Sequence, residues 1–273
     1  MSTSTLKPVE PEATTDQVFA FAVRFATEVR SWHLPGSVVQ AAKDQTDHLV
    51  WDAIKNVLIP KPEIVEVTEK FIPRIEVLSE RPKPCAKRSA DDQVADFREM
   101  YRGLRWTWTE SGLIIPQYQG GFDRLLVFAD PTLTNNKEFD VCQASFPSWR
   151  YKEDLNSAVP ADKDQRHSSR GPYAIWVRDS EDLDRDLIGL SADTILERGL
   201  KTLTLLERQL YELVYFRETG QHLDKRTWTL CSGSRDSGGD VPYAGWGYDE
   251  FEVRWYNPGC GSPLVGARQA VSL

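Results

Sequence analysis

Cysteine is scarce in this chain, and the cysteines present form no recognisable motif. Among 273 residues there are four cysteines, and no two of them stand in a C-x-x-C arrangement. The sequence therefore indicates neither a disulfide framework nor a zinc site, although a single Cys231–Cys260 bridge stays open as an alternative. Isolated thiols are typical of a reducing compartment, so we predict a cytoplasmic protein without a metal ion or other cofactor.

Positive charge and long apolar runs are also lacking. The chain has 33 Lys and Arg against 41 Asp and Glu, a net charge of −8. Nucleic acids and anionic lipids both require a basic face, so neither is a predicted partner. No apolar run reaches membrane-spanning length. The apolar segment from Val18 to Val29 contains Arg24 and follows acidic residues, which excludes a signal peptide there.

The common catalytic motifs are missing as well. The sequence contains no G-x-S-x-G, no P-loop and no H-E-x-x-H, and its four histidines are dispersed. These absences favour a non-catalytic protein. Two alternatives stay open: a structural or oligomerisation protein, or a hydrolase-like enzyme with its site in the aromatic middle of the chain. The candidate residues for such an enzyme are Asp123, Arg124, Asp130 and Asp140.

Helical and β-prone patterns occupy different parts of the chain, which predicts an α+β protein. Residues 1–14 are polar and predict a disordered leader. Residues 15–80 carry helical stripes and are predicted to mediate homo-oligomerisation or attachment to another host protein. Prolines and charges between Glu80 and Ser89 are typical of a linker. Residues 91–273 are predicted to form the main domain.

Helices and strands within the main domain can be placed from local signals. A helix is predicted near Asp92–Tyr101, and another over Ala192–Arg198 with Ser191 as its N-cap. A third is predicted over Thr204–Gly220, where Thr204 and Glu207 have capping-box spacing and Gly220 stands where a helix-ending glycine belongs. Lys152–Gly171 is polar and predicts a loop. The predicted strands are Arg105–Thr109, Leu113–Tyr118, Leu125–Ala129, Phe139–Ala144, Pro172–Arg178, Trp228–Cys231, Val241–Trp246, Phe251–Trp255 and Ala267–Val271.

The stretch from Leu230 to Ser272 has an unusual composition. Small, turn-prone residues alternate there with Tyr, Trp, Asp, Asn and Arg. Antibody paratopes use this chemistry, because rigid aromatic side chains supply contact area while Ser, Gly and Asn adapt. An ordinary set of hairpins with turn glycines and buried tryptophans would have the same composition, so composition alone does not separate the two.

The order of elements and three short strings resemble a known family. A strand, two helices and a run of hairpins follow each other as in C-type lectin folds of the formylglycine-generating-enzyme type. The strings LTLLERQLYELVYFRETG, TLCSGSR with VPYAGW, and LVGAR are similar to the second helix, the strand before the variable loops and the terminal strand of variable proteins from diversity-generating retroelements. The resemblance covers about Ser191–Leu273.

The resemblance implies a hypervariable ligand-binding surface at about residues 235–266. In such proteins a reverse transcriptase mutates adenines, so that Asn codons become codons for Tyr, Asp, Ser, Gly, Cys, His or Arg. The positions that match are Asp236, Tyr243, Gly245, Gly247, Tyr248, Asp249, Arg254, Tyr256, Asn257, Gly259, Cys260, Gly261 and Ser262. The intervening residues predicted to form the scaffold are Val241, Pro242, Trp246, Phe251, Val253 and Trp255.

Alternation along a strand gives this pattern a physical reason, because one face packs while the other is free to vary. Glu252 departs from the pattern, since it falls on the free face but its codon is not reached from Asn. The E-P-N, Q-P-D and W-N-D strings of calcium-dependent lectins are absent, so calcium-dependent sugar binding is not implied. The expected ligand is a protein or other macromolecule, because a broad shallow face suits one better than a small molecule.

Overall fold

The computed structural model describes residues 72–273, and the predicted leader and nearly all of the predicted helical region lie outside the described residues. Residues 71–273 make up one compact unit. Its helices are α1 (Ala90–Gly103), α2 (Asn135–Ser145), α3 (Leu155–Ala158), α4 (Ala192–Glu197) and α5 (Leu205–Thr219). Its strands are β1 (Arg124–Phe128), β2 (Ser148–Arg150), β3 (Tyr173–Val177), β4 (Trp228–Leu230), β5 (Val241–Gly247), β6 (Glu250–Tyr256) and β7 (Val265–Gly266). Helices and mixed sheets together confirm an α+β protein.

Helix α5 begins and ends where its sequence signals predict. The Thr204 hydroxyl accepts from the backbone N–H of Glu207, and the Glu207 carboxylate accepts from the backbone N–H of Thr204. Gly220 ends the helix in the left-handed region with φ +65°. Ser191 caps α4 in the predicted way. These boundaries were predictable because caps depend on neighbouring residues only.

Several predictions for the middle of the chain are wrong. Phe139–Ala144 lies in α2, not in a strand, because Thr134 caps a helix whose Phe139 and Cys142 point into the core one turn apart. Arg105–Thr109 and Leu113–Tyr118 have no strand assignment. Trp106 and Trp108 pack against the main core from irregular chain, and strand propensity alone cannot distinguish such a segment from a paired strand.

The predicted linker packs against the domain. Cys85 is buried, and Arg88 forms ion pairs with Asp96 and Glu218. Ser89 and Asp92 form a capping box that starts α1. Arg88 in this segment therefore forms ion pairs that attach the segment to α1 and α5.

Two sheets organise the domain. Strands β1 and β3 pair antiparallel as a two-stranded ribbon. The second sheet has the order β2-β6-β5-β4-β7, in which β2 pairs with β6 in parallel and β4 pairs with β7 in parallel. The predicted terminal strand Ala267–Val271 is wrong: β7 ends before it, at Gly266, and the predicted range contains two isolated bridges, at Gln269 and Val271. Apolar residues of α5, α2 and one face of the second sheet share the main core.

A buried ionic network joins the end of the chain to α5. The Arg268 guanidinium donates to the Ser180 carbonyl, to Thr229 Oγ1 at 3.2 Å and to Asp224 Oδ1 at 2.5 Å. The other carboxylate oxygen of Asp224 accepts from Arg208, which is also fully buried. Arg268 of the terminal G-A-R string therefore holds three chain segments together.

Asp164 is a buried acid whose protonation should make folding pH-dependent. Burial raises the pKa of Asp164 to about 8, although the Ser234 hydroxyl donates to its carboxylate. Between pH 4 and 8 the unfolded chain loses this proton while the folded chain retains it, so stability falls as pH rises. Asp164→Asn should remove that loss and gain on the order of 5 kcal/mol over the wild type by pH 8, with no gain near pH 4.

Denaturant unfolding at several pH values measures this difference. The exposed Asp162→Asn removes the same charge two residues away and should leave the pH profile unchanged. If the free energies of unfolding of the wild type and of Asp164→Asn depend on pH in the same way, Asp164 is ionised in the folded protein.

Within residues 72–273, no helix is both long enough and apolar enough to cross a membrane.

Candidate functional site

Strands β5 and β6 form a hairpin whose two faces differ. They are joined by a tight turn in which Tyr248 and Asp249 both have positive φ, 51° and 62°. Such a turn matches the right-handed twist of the flanking strands. Tyr243 pairs with Arg254 across the hairpin, so the two side chains share a face. We define the outer face as Val241, Tyr243, Gly245 and Gly247 with their partners Tyr256, Arg254, Glu252 and Glu250.

The inner face belongs to the main core. Ala244, Phe251 and Val253 are completely buried there, and Trp246 and Trp255 pack against the same core while remaining half-buried. The period-two pattern therefore predicted the core-facing positions of β6 and most of those of β5. The inner face fixes the hairpin to the main core.

Val241 is buried, as expected of a scaffold residue, but on the outer face of the hairpin. Register places it on the outer face, yet it is completely buried in a second apolar cluster with Leu187 and Ile195. Helix α4 and the turn before it cover this end of the hairpin. Alternation alone cannot foresee which part of a free face another element covers.

The uncovered part of the outer face is aromatic. The Tyr243 ring lies edge-on to Trp228 at 5.3 Å and to Tyr256 at 5.6 Å between centroids. Tyr248, at the tip of the turn, is 87% exposed. The predicted residues Tyr243, Tyr248, Arg254 and Tyr256 are thus brought to one side of the molecule, and none of them is buried.

Two tryptophans on this face were not among the predicted site residues. Trp228 lies in the adjacent strand β4, and Trp149 reaches the face because β2 pairs with β6 and sets Trp149 beside Glu252. The Arg254 guanidinium carbon stands 4.9 Å from the centre of the Trp149 indole, and Arg254 also donates to Glu252. A parallel pairing between segments about 100 residues apart leaves no local sequence signal.

The remaining predicted residues occupy loops beside the face. Asp249, Asn257, Gly259 and Cys260 are exposed, and Ser262 is half-buried. The loop after β6 holds itself in shape: Asn257 Oδ1 accepts from the backbone N–H of Gly259 at 3.0 Å. Its Pro258 carbonyl accepts from the backbone N–H of Asp193, so the loop is attached to α4.

Asp236 is buried and shapes a loop, although it was predicted to lie on the ligand-binding surface. Burial alone would raise its pKa, but the hydrogen bond from Lys152 and the backbone N–H groups of Gly238 and Asp240 lower it. An acid with these partners organises the turn before β5. It has no oxygen left to offer a ligand without breaking that turn.

Three of the predicted variable glycines are confined by neighbours. A Cβ atom at Gly245 or Gly247 would lie 3.1 Å or 2.8 Å from the Trp228 ring. At Gly261 it would lie 2.3 Å from the carbonyl oxygen of Gly189, although Gly261 itself is exposed. Sequence composition could not show these approaches, because they come from residues distant in the chain.

Matched serine substitutions test this restriction. Gly261→Ser should destabilise the protein by about 1–3 kcal/mol, because backbone must move to admit the side chain. Gly259→Ser meets only ordinary contacts, the nearest being Asn257 Oδ1 at 3.4 Å, and should change stability by less than about 0.5 kcal/mol. Thermal unfolding of both variants compares them, and equal stability would refute the close approach at Gly261.

The four residues suggested for an enzyme do not meet. Asp123 accepts from the Tyr118 hydroxyl, and Arg124 forms ion pairs with Asp179 and Glu218. Asp130 stands beyond the other end of β1, where Thr132, Lys137 and the backbone N–H of Thr107 hold it. Burial would raise the pKa of Asp130, but these hydrogen bonds lower it. Asp140 lies on α2, 4.0 Å from Arg150.

Among residues 72–273, no group of three or more His, Cys, Asp or Glu side chains is arranged to hold a metal ion. Comparison of the chain with protein-family models, with curated proteins and with solved structures finds no match in any of the three. What can be said of function therefore follows from the geometry of the outer face and from the resemblance in its sequence.

Proposed function

We propose that the protein is a non-catalytic binding protein that displays a diversified surface on a C-type-lectin-like scaffold. The surface is the uncovered part of the outer face, with Tyr243, Arg254 and Tyr256 at its centre and Tyr248 at its tip. Its ligand is a macromolecule, most simply a protein. Recognition uses a few aromatic anchors on a rigid hairpin, surrounded by adaptable polar side chains.

One observation carries the proposal: the inner face of the hairpin is buried in the main core, whereas Tyr243, Arg254 and Tyr256 on the outer face stay partly exposed. Phe251 and Val253 are completely buried, whereas Tyr248 between the strands is almost fully exposed. A change of an uncovered outer side chain therefore removes little packing, while the backbone position of that side chain stays set by the core. A scaffold of this kind permits many binding specificities on one fold.

The shape of the face favours a macromolecular ligand. Small-molecule sites are concave and enclose most of their ligand. On the outer face, by contrast, exposed aromatic residues spread from Tyr248 across the hairpin to Trp149 and Tyr151 at the edge strand. Protein interfaces concentrate their binding energy in such tyrosine, tryptophan and arginine residues.

A pair of matched libraries tests the proposal. The outer library randomises Tyr243, Tyr248, Arg254, Tyr256 and Asn257, and the inner library randomises Ala244, Trp246, Phe251, Val253 and Trp255. Most variants in the outer library should have melting temperatures within a few degrees of that of the parent. The outer library should also contain binders of several unrelated target proteins. Most inner variants should not fold. Equal loss of folding in the two libraries would contradict the proposal.

The genomic neighbourhood provides an independent test of diversification. A near-repeat of the DNA encoding Val241–Ser272, differing mainly at adenines and adjacent to a reverse transcriptase gene, is the expected finding. If a complete genome lacks both, the protein is a binding module that is not diversified in this way.

A further inference from the structure

The carboxylate of Glu252 is an unusual feature of the outer face. Outer-face side chains would be expected to reach water, yet Glu252 is 0% exposed. Its Oε2 accepts from Arg254 Nε, while its Oε1 has no hydrogen-bond partner among residues 72–273. A buried carboxylate oxygen without a donor is costly, so such an atom is a natural place for a ligand to supply one.

Aromatic rings and glycines surround this carboxylate. Gly245 pairs with Glu252 across the hairpin, and a Cβ at Gly247 would stand 3.5 Å from Glu252 Oε1. The Trp228 indole lies over both glycines. On the other side Trp149 is in register with Glu252. The result is an acid flanked by two indoles, and the Trp228 ring occupies the room that the missing glycine side chains leave.

The protein's own arginine shows which chemical group this arrangement accepts. The Arg254 guanidinium stacks over Trp149 and bonds to Glu252 through its Nε, and its side chain is still 35% exposed. Arg254 thus uses one carboxylate oxygen and leaves the other without a donor. A guanidinium arriving from outside could donate to both oxygens, which is the stronger, two-point geometry.

We infer that Glu252, Trp149 and Trp228 form a site for an arginine side chain of a partner protein, with Arg254 as the internal occupant that the partner arginine displaces. The inference rests on the proposed function and assigns the chemistry of its ligand. Cation–π contact with the indoles and an ion pair with the carboxylate supply the attraction. The net charge of −8 attracts a basic partner at long range.

The site also separates constant and variable parts of the surface. Glu252 has a codon that adenine mutation of an Asn codon does not reach, whereas Arg254 has one that it does reach. Diversification would therefore retain the acid and replace the internal occupant. Variants without arginine at position 254 should have a vacant site, and those with it an occupied one.

A titration with single-arginine probes tests the inference on the full chain. The probes are N-acetyl-arginine amide and a Gly-Ser peptide with one arginine. The citrulline analogues of both are neutral and nearly the same shape. Arg254→Ala should bind the arginine probes at least ~10-fold more tightly than the wild type, because the internal competitor is gone. Shifts of tryptophan indole N–H signals in NMR spectra report the binding.

Two double variants serve as a matched pair. Adding Glu252→Gln to Arg254→Ala should abolish the gain, and adding Glu250→Gln, which removes the same charge two residues away on the same face, should retain it. Citrulline probes should not bind to any variant. If Arg254→Ala does not fold, Arg254→Gln removes the charge while filling more of the space, and the same comparison applies.

Equal binding of arginine and citrulline probes, or a gain that survives Glu252→Gln, would overturn the inference, as would the absence of binding to every variant. The matched libraries distinguish this failure from that of the proposed function. If the outer library still yields binders, only the arginine site is refuted. If it yields none and also loses folding, the proposed function is refuted as well.

Discussion

Arg268→Met is expected to destabilise the protein by about 3–5 kcal/mol, because it leaves the buried carboxylate of Asp224 without one of its two guanidinium partners. Arg268 is 1% exposed, and its donors also satisfy the carbonyls of Ser180 and Glu181. Methionine fills most of the volume but donates nothing. The loss therefore comes from unpaired polar groups in three separate segments and only slightly from packing.

Chemical denaturation followed by tryptophan fluorescence measures this loss. Arg235→Met is the matched control, since the Arg235 side chain is half-buried and donates to carbonyls of its own loop, those of Ser232 and Ser234. It should cost less than about 1 kcal/mol. If the two substitutions cost the same, the network around Asp224 is not the link between the last strand and α5.

The second large effect concerns the two faces of the hairpin. Phe251→Ala should destabilise the protein by about 3–5 kcal/mol, because Phe251 is fully buried and its ring contacts Phe139 and Phe146 in the main core. Tyr248→Ala, at the exposed tip of the same hairpin, should cost less than about 1 kcal/mol, mainly through the changed turn. The larger expected loss of stability at Phe251 follows from its burial, and the smaller loss at Tyr248 follows from its exposure.

Equilibrium unfolding of both variants under one set of conditions is the measurement. Tyr256→Phe adds a control on the outer face, because it removes a hydroxyl without disturbing the ring contact with Tyr243. It should be nearly neutral. A cost for Tyr248→Ala comparable to that of Phe251→Ala would mean that the outer face is part of the folding core and is not free to vary.

Local sequence signals predicted the elements that depend on neighbouring residues. The capping box at Thr204 and Glu207, the serine cap of α4 and the stop at Gly220 are all in their predicted places. The β5–β6 hairpin was predicted from alternation, and its inner positions, such as Phe251 and Val253, are buried. A helix cap involves residues within four positions of each other in the chain. In a strand, side chains point to the same face at every second residue.

The errors have a common cause in long-range packing. Phe139 was placed in a strand because its aromatic neighbours favour one, but the cap at Thr134 and the position of α5 place it in a helix. Asp236 was expected to contact a ligand, but it is buried and held by Lys152, 84 residues away. Val241 is buried scaffold, as expected, but it is α4 that covers it, from the outer side of the hairpin.

For the candidate site, the sequence alone determined which residues lie on one side of the hairpin, because strand periodicity is a property of the backbone. Only the tertiary structure decided which of these positions are accessible. The pairing of β2 with β6 places Trp149 next to Glu252, and the fold of β4 places Trp228 across Gly245 and Gly247. Such contacts join segments distant in sequence, and their positions depend on how the whole core packs.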